Sequence, residues 1–138
     1  MSHENVEVVR SALAAWNTGD MDAVRALLDP DAILRPPEGW PEPGPYIGQE
    51  AVMREWEQVR EAWHADAVEP IGEFIDAADR VVVRVFWRTA GSGPEPNIEL
   101  TIVYTMRKGR IFLCEYFWDH AEALEAAGLS EQDVHAGP

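Results

Sequence analysis

The sequence predicts an α+β fold in which helices cover one face of a curved, mostly antiparallel sheet. Two observations support this. Apolar residues in roughly the first half of the chain recur every three or four positions, as on helices, whereas those after about residue 68 alternate, as on strands. Short turn segments then join neighbouring strands as hairpins. The predicted element order is ααβαββββ.

The first two helices are predicted to form an αα-hairpin. Apolar side chains between Glu4 and Trp16 are spaced by three, four and three residues, which places them on one helix face. Asp20 is the expected N-cap of a second helix that extends to Leu28. Asp29-Pro30 ends the hairpin, and residues 32–35 form a short strand.

The third helix is predicted from Gly48 to about His64, after which the apolar period changes from 3.6 to about 2. A strand from Val68 to Asp76 is interrupted by Pro70 and Gly72. The remaining predicted elements are strands at residues 79–89, 98–106 and 110–119, a 91–96 hairpin loop, a tight 107–109 turn and a short final helix within 121–131.

A rigid loop separates the first strand from the third helix. The segment RPPEGWPEPGPYIG, Arg35 to Gly48, contains five prolines around Trp40. Proline cannot donate to a sheet ladder, so this segment is predicted to be a loop. We interpret it as the border of a pocket mouth, with Trp40 at the rim. The alternative is an indole packed passively on the helices.

Composition excludes two classes of partner. The chain has 25 acidic and 11 basic residues and a formal charge of -14, which repels nucleic-acid phosphates and anionic membrane surfaces. Its 138 residues suit one domain, 1–138. The single Cys114 cannot form an internal disulfide, and the N-terminal residues lack a secretory-signal pattern. We therefore expect a cytoplasmic protein that spans no membrane.

Both faces of the sheet are predicted to be apolar. An antiparallel sheet with helices on one face normally shows polar residues on the other. A second copy of the chain is therefore expected on the outer face, as a homodimer; the alternative is a monomer with exposed apolar side chains. One predicted face carries Leu100, Ile102, Tyr104, Met106, Phe112, Cys114, Tyr116 and Trp118, and the other carries Val103, Ile111, Leu113 and Phe117.

Four segments in order carry a family resemblance: AWNTGDMDAVRALLDPDA, YIGQEAVMREW, DAADRVVVRVFWRTAGSG and KGRIFLCEYFWDHAEALEAAGL. Together they resemble the nuclear transport factor 2-like superfamily, of cystatin-like fold, and within it the SnoaL-like group. The resemblance implies a cone-shaped fold whose sheet wraps three helices and leaves a cavity at its open end. Relatives include ketosteroid isomerase, polyketide cyclases and epoxide hydrolases, so the fold alone does not define a function.

Steroid isomerisation is excluded by the same resemblance. The isomerase needs a general-base aspartate and an oxyanion-stabilising tyrosine and aspartate. The matching positions here are occupied by Pro36, Ala12 and Ile102. Without a base or an oxyanion donor, that mechanism is not available.

The remaining site candidates are mostly aromatic. Aromatic linings bind flat apolar ligands, and tyrosine hydroxyls orient polar groups. The alternative is that these rings are simply core. The predicted ligand-binding residues are Trp40, Trp56, Trp87, Tyr104, Tyr116 and Trp118.

Acid–base candidates are few. They are Tyr104, Tyr116, His64 and Asp119. The ordinary pKa of His64 suits a general base, but its place at a helix end also suits a structural role. For Asp119, capping the last helix is the better explanation. No spacing matches a metal site or a phosphate loop, so we expect no cofactor and no metal.

Two functions stay open: a cofactor-independent acid–base enzyme (isomerase, cyclase or hydrolase type) acting on a cyclic or aromatic ligand, and a non-catalytic ligand-binding or dimeric scaffold module.

Overall fold

The structure, a computed structural model, describes residues 2–40, 44–62, 67–88 and 98–129. The described residues form four helices and a seven-stranded open sheet. The predictions for His64 and for the 91–96 hairpin loop lie outside them. The elements are α1 Ser2–Thr18, α2 Met21–Leu27, β1 Leu28–Arg35, β2 Tyr46–Ile47, α3 Gln49–Ala62, β3 Ala67–Pro70, β4 Ile75–Ala77, β5 Arg80–Arg88, β6 Ile98–Arg107, β7 Arg110–Phe117 and α4 His120–Ala126.

The predicted α+β fold is confirmed. The strands are ordered β2-β1-β7-β6-β5-β3, with β4 also paired to β5. Within the described sheet β1 and β7 run parallel, and every other pair is antiparallel. The helices α1, α2 and α3 pack on one face, called here the inner face, and enclose the main core. The predicted third-helix start and the interruption after Pro70 are also confirmed.

The αα-hairpin forms as predicted at its cap. The Asp20 carboxylate accepts a hydrogen bond of 3.1 Å from the Ala23 amide, and Gly19 adopts a φ of +80°, a conformation that favours glycine. Helix α2 ends at Leu27, and Leu28 already belongs to the sheet.

The first strand is longer than the predicted residues 32–35, because Asp29-Pro30 does not end the hairpin but lies within β1. The register of β1 against β7 shifts between Leu28 and Ile33. Pro30, which has no amide proton to donate, is accommodated in this irregular stretch. The buried Asp29 carboxylate accepts bonds of 3.0 and 2.7 Å from Arg107 and of 2.8 Å from the Asp31 amide.

A β-bulge in β7 overturns the predicted sidedness of two residues. Simple alternation placed Phe112 with Tyr116 and Ile111 on the opposite face. In the structure Met106 pairs with Ile111 but Thr105 pairs with Leu113, so Phe112 is an extra residue. Ile111 is therefore buried on the inner face, whereas the half-buried Phe112 stacks under the Arg107 guanidinium, 4.1 Å from its ring centre.

The outer face is covered in part by the chain itself. Helix α4 packs its Ala123 and Leu124 against Val82 and Val103, forming a second, smaller core. Charged side chains on this face pair across strands: Arg84 with Glu99 at 2.7 Å and Arg35 with Glu115 at 3.3 Å. Further along, Ile47, Ile33 and Leu113 form a cross-strand row, called here the apolar row, in which Ile47 is 68% exposed.

Among the described residues, no helix combines the length and the apolar character needed to cross a bilayer.

The Asp29–Arg107 pair predicts a pH-dependent contribution to stability. Hydrogen bonds from Arg107 and from the Asp31 amide lower the pKa of Asp29 below its ordinary 3.8. A lowered folded-state pKa means that the stabilisation is present above about pH 4 and is lost as the pH falls through the folded-state value. Asp29→Asn should lower the melting temperature at pH 7 by about 4 °C, measured by circular dichroism.

Asp31→Asn is the matched control, because that carboxylate is 80% exposed and its change should cost little. The difference between wild type and Asp29→Asn should shrink below pH 4. Equal melting temperatures for wild type and Asp29→Asn at pH 7 would contradict the assignment.

Candidate functional site

An apolar cavity lies between the helices and the inner face of the sheet. The volume open to the centre of a water molecule is about 40 Å³, room for roughly three waters. Its wall combines one face of α1 with residues from α2, α3 and five strands. The lining residues are Ala12, Leu13, Trp16, Val24, Leu28, Trp56, Val68, Val85, Trp87, Ile102, Tyr104, Ile111 and Tyr116.

Aromatic rings in edge-on contact form much of this wall. Trp16 lies 6.4 Å from Trp56 at 85° and 5.7 Å from Trp87 at 63°. Trp87 in turn meets Tyr116 at 5.9 Å and 88°. Edge-to-face pairs of this kind add attraction beyond the area they bury. The rings are thus held by one another as well as by the backbone.

A hydrogen bond connects α3 to β7 across the site. The Trp56 indole donates to the Tyr116 hydroxyl at 2.9 Å. Burial, which is the main cause, raises the pKa of Tyr116 well above its ordinary value, and the bond from Trp56 opposes this only in part. Tyr116 therefore stays protonated at neutral pH, and its own O–H remains a donor.

Two further polar groups belong to the lining. Burial also raises the pKa of Tyr104 well above its ordinary value, so this hydroxyl is a neutral donor and acceptor. The buried Trp16 indole N–H has no hydrogen-bond partner among the described residues. A buried polar group without a hydrogen-bond partner is costly in a core, so this N–H is available to a polar atom of a ligand.

Trp40, from the Pro-rich loop, is buried and not solvent-facing, with only 7% of its surface exposed. It stacks on Trp87 at 6.0 Å and 21° and meets Tyr116 edge-on at 5.7 Å and 72°. Its indole N–H donates to Glu55 Oε2 at 3.3 Å. Trp40 thus packs directly against two residues of the cavity wall.

Glu55, which adjoins the cavity wall through Trp40, is a buried acidic residue that the sequence analysis missed. It lies on α3 and is only 6% exposed. The available signal was its spacing: Val52, Glu55, Trp56 and Val59 share the buried face of α3, so a carboxylate interrupts an apolar stripe. A carboxylate in that position is rare unless paired or functional.

Trp118 lies outside the cavity wall, beside Trp40. It is 51% exposed, its ring centre is 6.1 Å from that of Trp40, and its indole donates to the Glu38 carbonyl at 2.7 Å. The structure therefore brings Trp56, Trp87, Tyr104 and Tyr116 together in the wall, with Trp40 packed against two of them.

The other chemical candidates do not join this group. Asp119 caps α4 by accepting a 2.8 Å hydrogen bond from the Ala121 amide, as the capping explanation predicts. Cys114 is buried, and burial raises the pKa of its thiol. Within the described ranges, no three His, Cys, Asp or Glu side chains lie close enough together to hold a metal ion.

The comparison with protein families matches the SnoaL-like domain over residues 9–113. No protein of curated function matches the chain.

Solved structures share the fold. A proposed polyketide cyclase from Sinorhizobium meliloti is 26% identical, with 85% of this chain and 99% of that chain covered and a TM-score of 0.68. A protein of unknown function from Burkholderia pseudomallei, of the nuclear transport factor 2-like type, is 26% identical, with 88% and 95% covered and a TM-score of 0.70. TerC, co-crystallised with polyporic acid, is 22% identical, with 91% and 98% covered and a TM-score of 0.71.

The Trp56–Tyr116 bond predicts different costs for two tryptophan substitutions in the same wall. Trp56→Phe removes a hydrogen-bond donor, whereas Trp16→Phe removes an N–H that makes no such bond with the described residues. Trp56→Phe should therefore lower the free energy of unfolding by about 1 kcal/mol more than Trp16→Phe in urea titrations. Equal losses would show that the bond adds nothing to stability.

Proposed function

Because the chain belongs to the SnoaL-like domain family, within the nuclear transport factor 2-like superfamily, we propose that it binds a hydrophobic cyclic or aromatic small molecule at the cavity. The observation that carries the proposal is an apolar wall rich in aromatic rings that also presents two tyrosine hydroxyls and an indole N–H. Ligand sites typically combine such a wall with a few polar groups that orient the ligand.

The six predicted ligand-binding residues take different parts in this proposal. Trp56 and Trp87 supply ring surface, and Tyr104 and Tyr116 supply neutral hydroxyls that orient a carbonyl or hydroxyl of the ligand. Trp40 and Trp118 border the mouth. Two of the similar structures, the proposed polyketide cyclase and the TerC complex with polyporic acid, favour this ligand class.

Acid–base catalysis without a cofactor is a second candidate function, and Glu55 is the observation that favours it. A buried carboxylate lies within hydrogen-bond distance of an indole that touches Tyr116. An isomerase, cyclase or hydrolase of this kind needs one group that takes a proton and another that donates one. Glu55 and the protonated Tyr116 hydroxyl meet that description.

We also propose a homodimer through the outer face of the sheet. Helix α4 covers Val82 and Val103, but the apolar row of Ile47, Ile33 and Leu113 lies on the same face with Ile47 exposed. Burying such a row against a second copy removes apolar surface from water. The dimer would leave the cavity, on the opposite face, unobstructed.

Ligand binding in the cavity is tested by filling it. Ala12 lines the cavity, so Ala12→Leu inserts a larger side chain into a volume of only about 40 Å³. The affinity for 2-naphthol, measured by calorimetry, should fall about tenfold, since the ring and the new side chain compete for the same space.

Ala14→Leu is the matched control, because it makes the same change on the exposed side of α1. It should leave the affinity unchanged. If wild type shows no binding, or Ala12→Leu binds as wild type does, the cavity is not the ligand site.

The dimer predicts a defined change in sedimentation. Wild type should sediment at twice the mass of one chain, and Ile47→Glu should sediment as a monomer because it places a charge in an apolar contact. Gln58→Glu, which introduces the same residue at an exposed position of α3, should remain dimeric. A wild-type monomer at high protein concentration would contradict the assembly.

A further inference from the structure

Trp40 is held in the same way that a bound aromatic ligand would be. One ring stacks against its face, a second meets its edge, and a buried carboxylate accepts its N–H. The indole is supplied by the loop between β1 and β2, whereas the three groups around it come from α3, β5 and β7. These three partners of Trp40 thus come from outside the loop. The space enclosed by Glu55, Trp87 and Tyr116 is called here the indole slot.

The slot and the cavity share a wall. Trp87 and Tyr116 contact Trp40 on one side and line the cavity on the other. The cavity, with about 40 Å³ open to water centres, accepts a bicyclic ring only when part of its wall moves. If the indole leaves, the slot and the cavity join into one larger space.

Hydrogen bonds as well as ring contacts hold the described part of the loop. The backbone of Trp40 bonds locally, from its amide to the Pro37 carbonyl at 3.2 Å, and the exposed Trp118 donates to the Glu38 carbonyl at 2.7 Å. An exposed hydrogen bond exchanges readily with water and opposes movement only weakly. The bonds of Trp40 given above, to Glu55 and to Pro37, belong to no helix or strand pairing, so outward movement of the indole leaves the described elements paired.

Glu55 gives the slot a chemical preference. A ring that takes the place of Trp40 and carries an N–H or O–H donor restores the hydrogen bond to the Glu55 carboxylate. A ring without such a donor loses that hydrogen bond. Sites built around a buried hydrogen bond strongly reject analogues that cannot make it. Flat aromatic donors such as indoles and phenols are therefore favoured over hydrocarbons of the same size.

We propose that the Trp40 indole is a built-in occupant of the ligand site, and that the ligand is a flat aromatic molecule whose N–H or O–H donor replaces the Trp40 indole on Glu55. This inference rests on the proposed small-molecule binding and specifies its ligand class. The ligand ring stacks on Trp87, meets Tyr116 at its edge and extends into the cavity. Binding and outward movement of Trp40 are then one event.

The first test uses Trp40→Ala with indole and 1-methylindole as probes, which differ in the N–H donor. Indole should bind Trp40→Ala about tenfold more tightly than 1-methylindole does, because one bond to the carboxylate is worth roughly that factor. Indole should also bind Trp40→Ala at least tenfold more tightly than it binds wild type, where it must displace the native ring.

The double variant Trp40→Ala, Glu55→Leu removes the acceptor at similar volume and should bind both probes equally. The control Trp40→Ala, Glu57→Leu makes the same change at an exposed position of α3 and should keep the preference for indole. Circular dichroism checks that each variant is folded.

A second test needs no variant. In wild type labelled with ¹⁵N at the indole nitrogens, saturating 2-naphthol should shift the Trp40 Nε1–H resonance strongly, because that proton loses its carboxylate. The Trp56 Nε1–H, which donates to Tyr116 and not to Glu55, should shift less.

Two results would overturn the inference: equal affinity of Trp40→Ala for the two probes, or a Trp40 resonance that is unchanged when 2-naphthol is bound. Either result leaves the proposed function standing if 2-naphthol binds wild type and Ala12→Leu weakens it. Absence of 2-naphthol binding to wild type, together with absence of indole binding to Trp40→Ala, would overturn both.

Discussion

The inner face of the sheet must be shielded from water along its whole length, and this constraint organises the rest of the molecule. Helices α1, α2 and α3 cover most of that face, and Trp40 closes over Trp87 and Tyr116 at one end. The indole cannot be provided by a strand there, because the prolines around it prevent sheet pairing. A loop residue thus completes the core at that end of the inner face.

The polar chemistry of the site is concentrated in few atoms. Both tyrosines are protonated at neutral pH because burial disfavours their anions. They act as neutral donors, which suits recognition of carbonyl or hydroxyl oxygens. Glu55 is the group of opposite character, an acceptor set among rings. In the proposed binding function, the positions of a ligand's donors and acceptors would determine selectivity, and ring area would supply most of the affinity.

The outer face solves the same problem of apolar exposure in two ways. Over β5 and β6 the chain uses its own α4, which buries Val82 and Val103. Over β1, β2 and β7 the apolar row remains for a second copy in the proposed dimer. Because the two faces are covered independently, assembly on one side and binding on the other need not interfere.

Much of the fold could be predicted from local patterns. The helix periodicity, the caps at Asp20 and Asp119 and the strand alternation each depend on neighbours within a few residues. They agree with the structure except for the alternation at Ile111 and Phe112. The inner-face placement of Tyr104 and Tyr116 could be predicted for the same reason, since alternation alone assigns both to one face.

Other features depend on contacts between distant segments. The sidedness of Ile111 and Phe112 was predicted wrongly because a bulge changes the alternation only when β7 pairs with β6. The extension of β1 through Asp29-Pro30 brings Asp29 into contact with Arg107, which lies 78 residues away in the chain. The burial of Glu55 beside Trp40 likewise exists only once the loop folds back on α3. By itself, the sequence determined which segments form helices and strands, because periodicity is a local property. Tertiary structure alone decided the strand register and the environment of Glu55, because both arise from chain segments that meet only after folding.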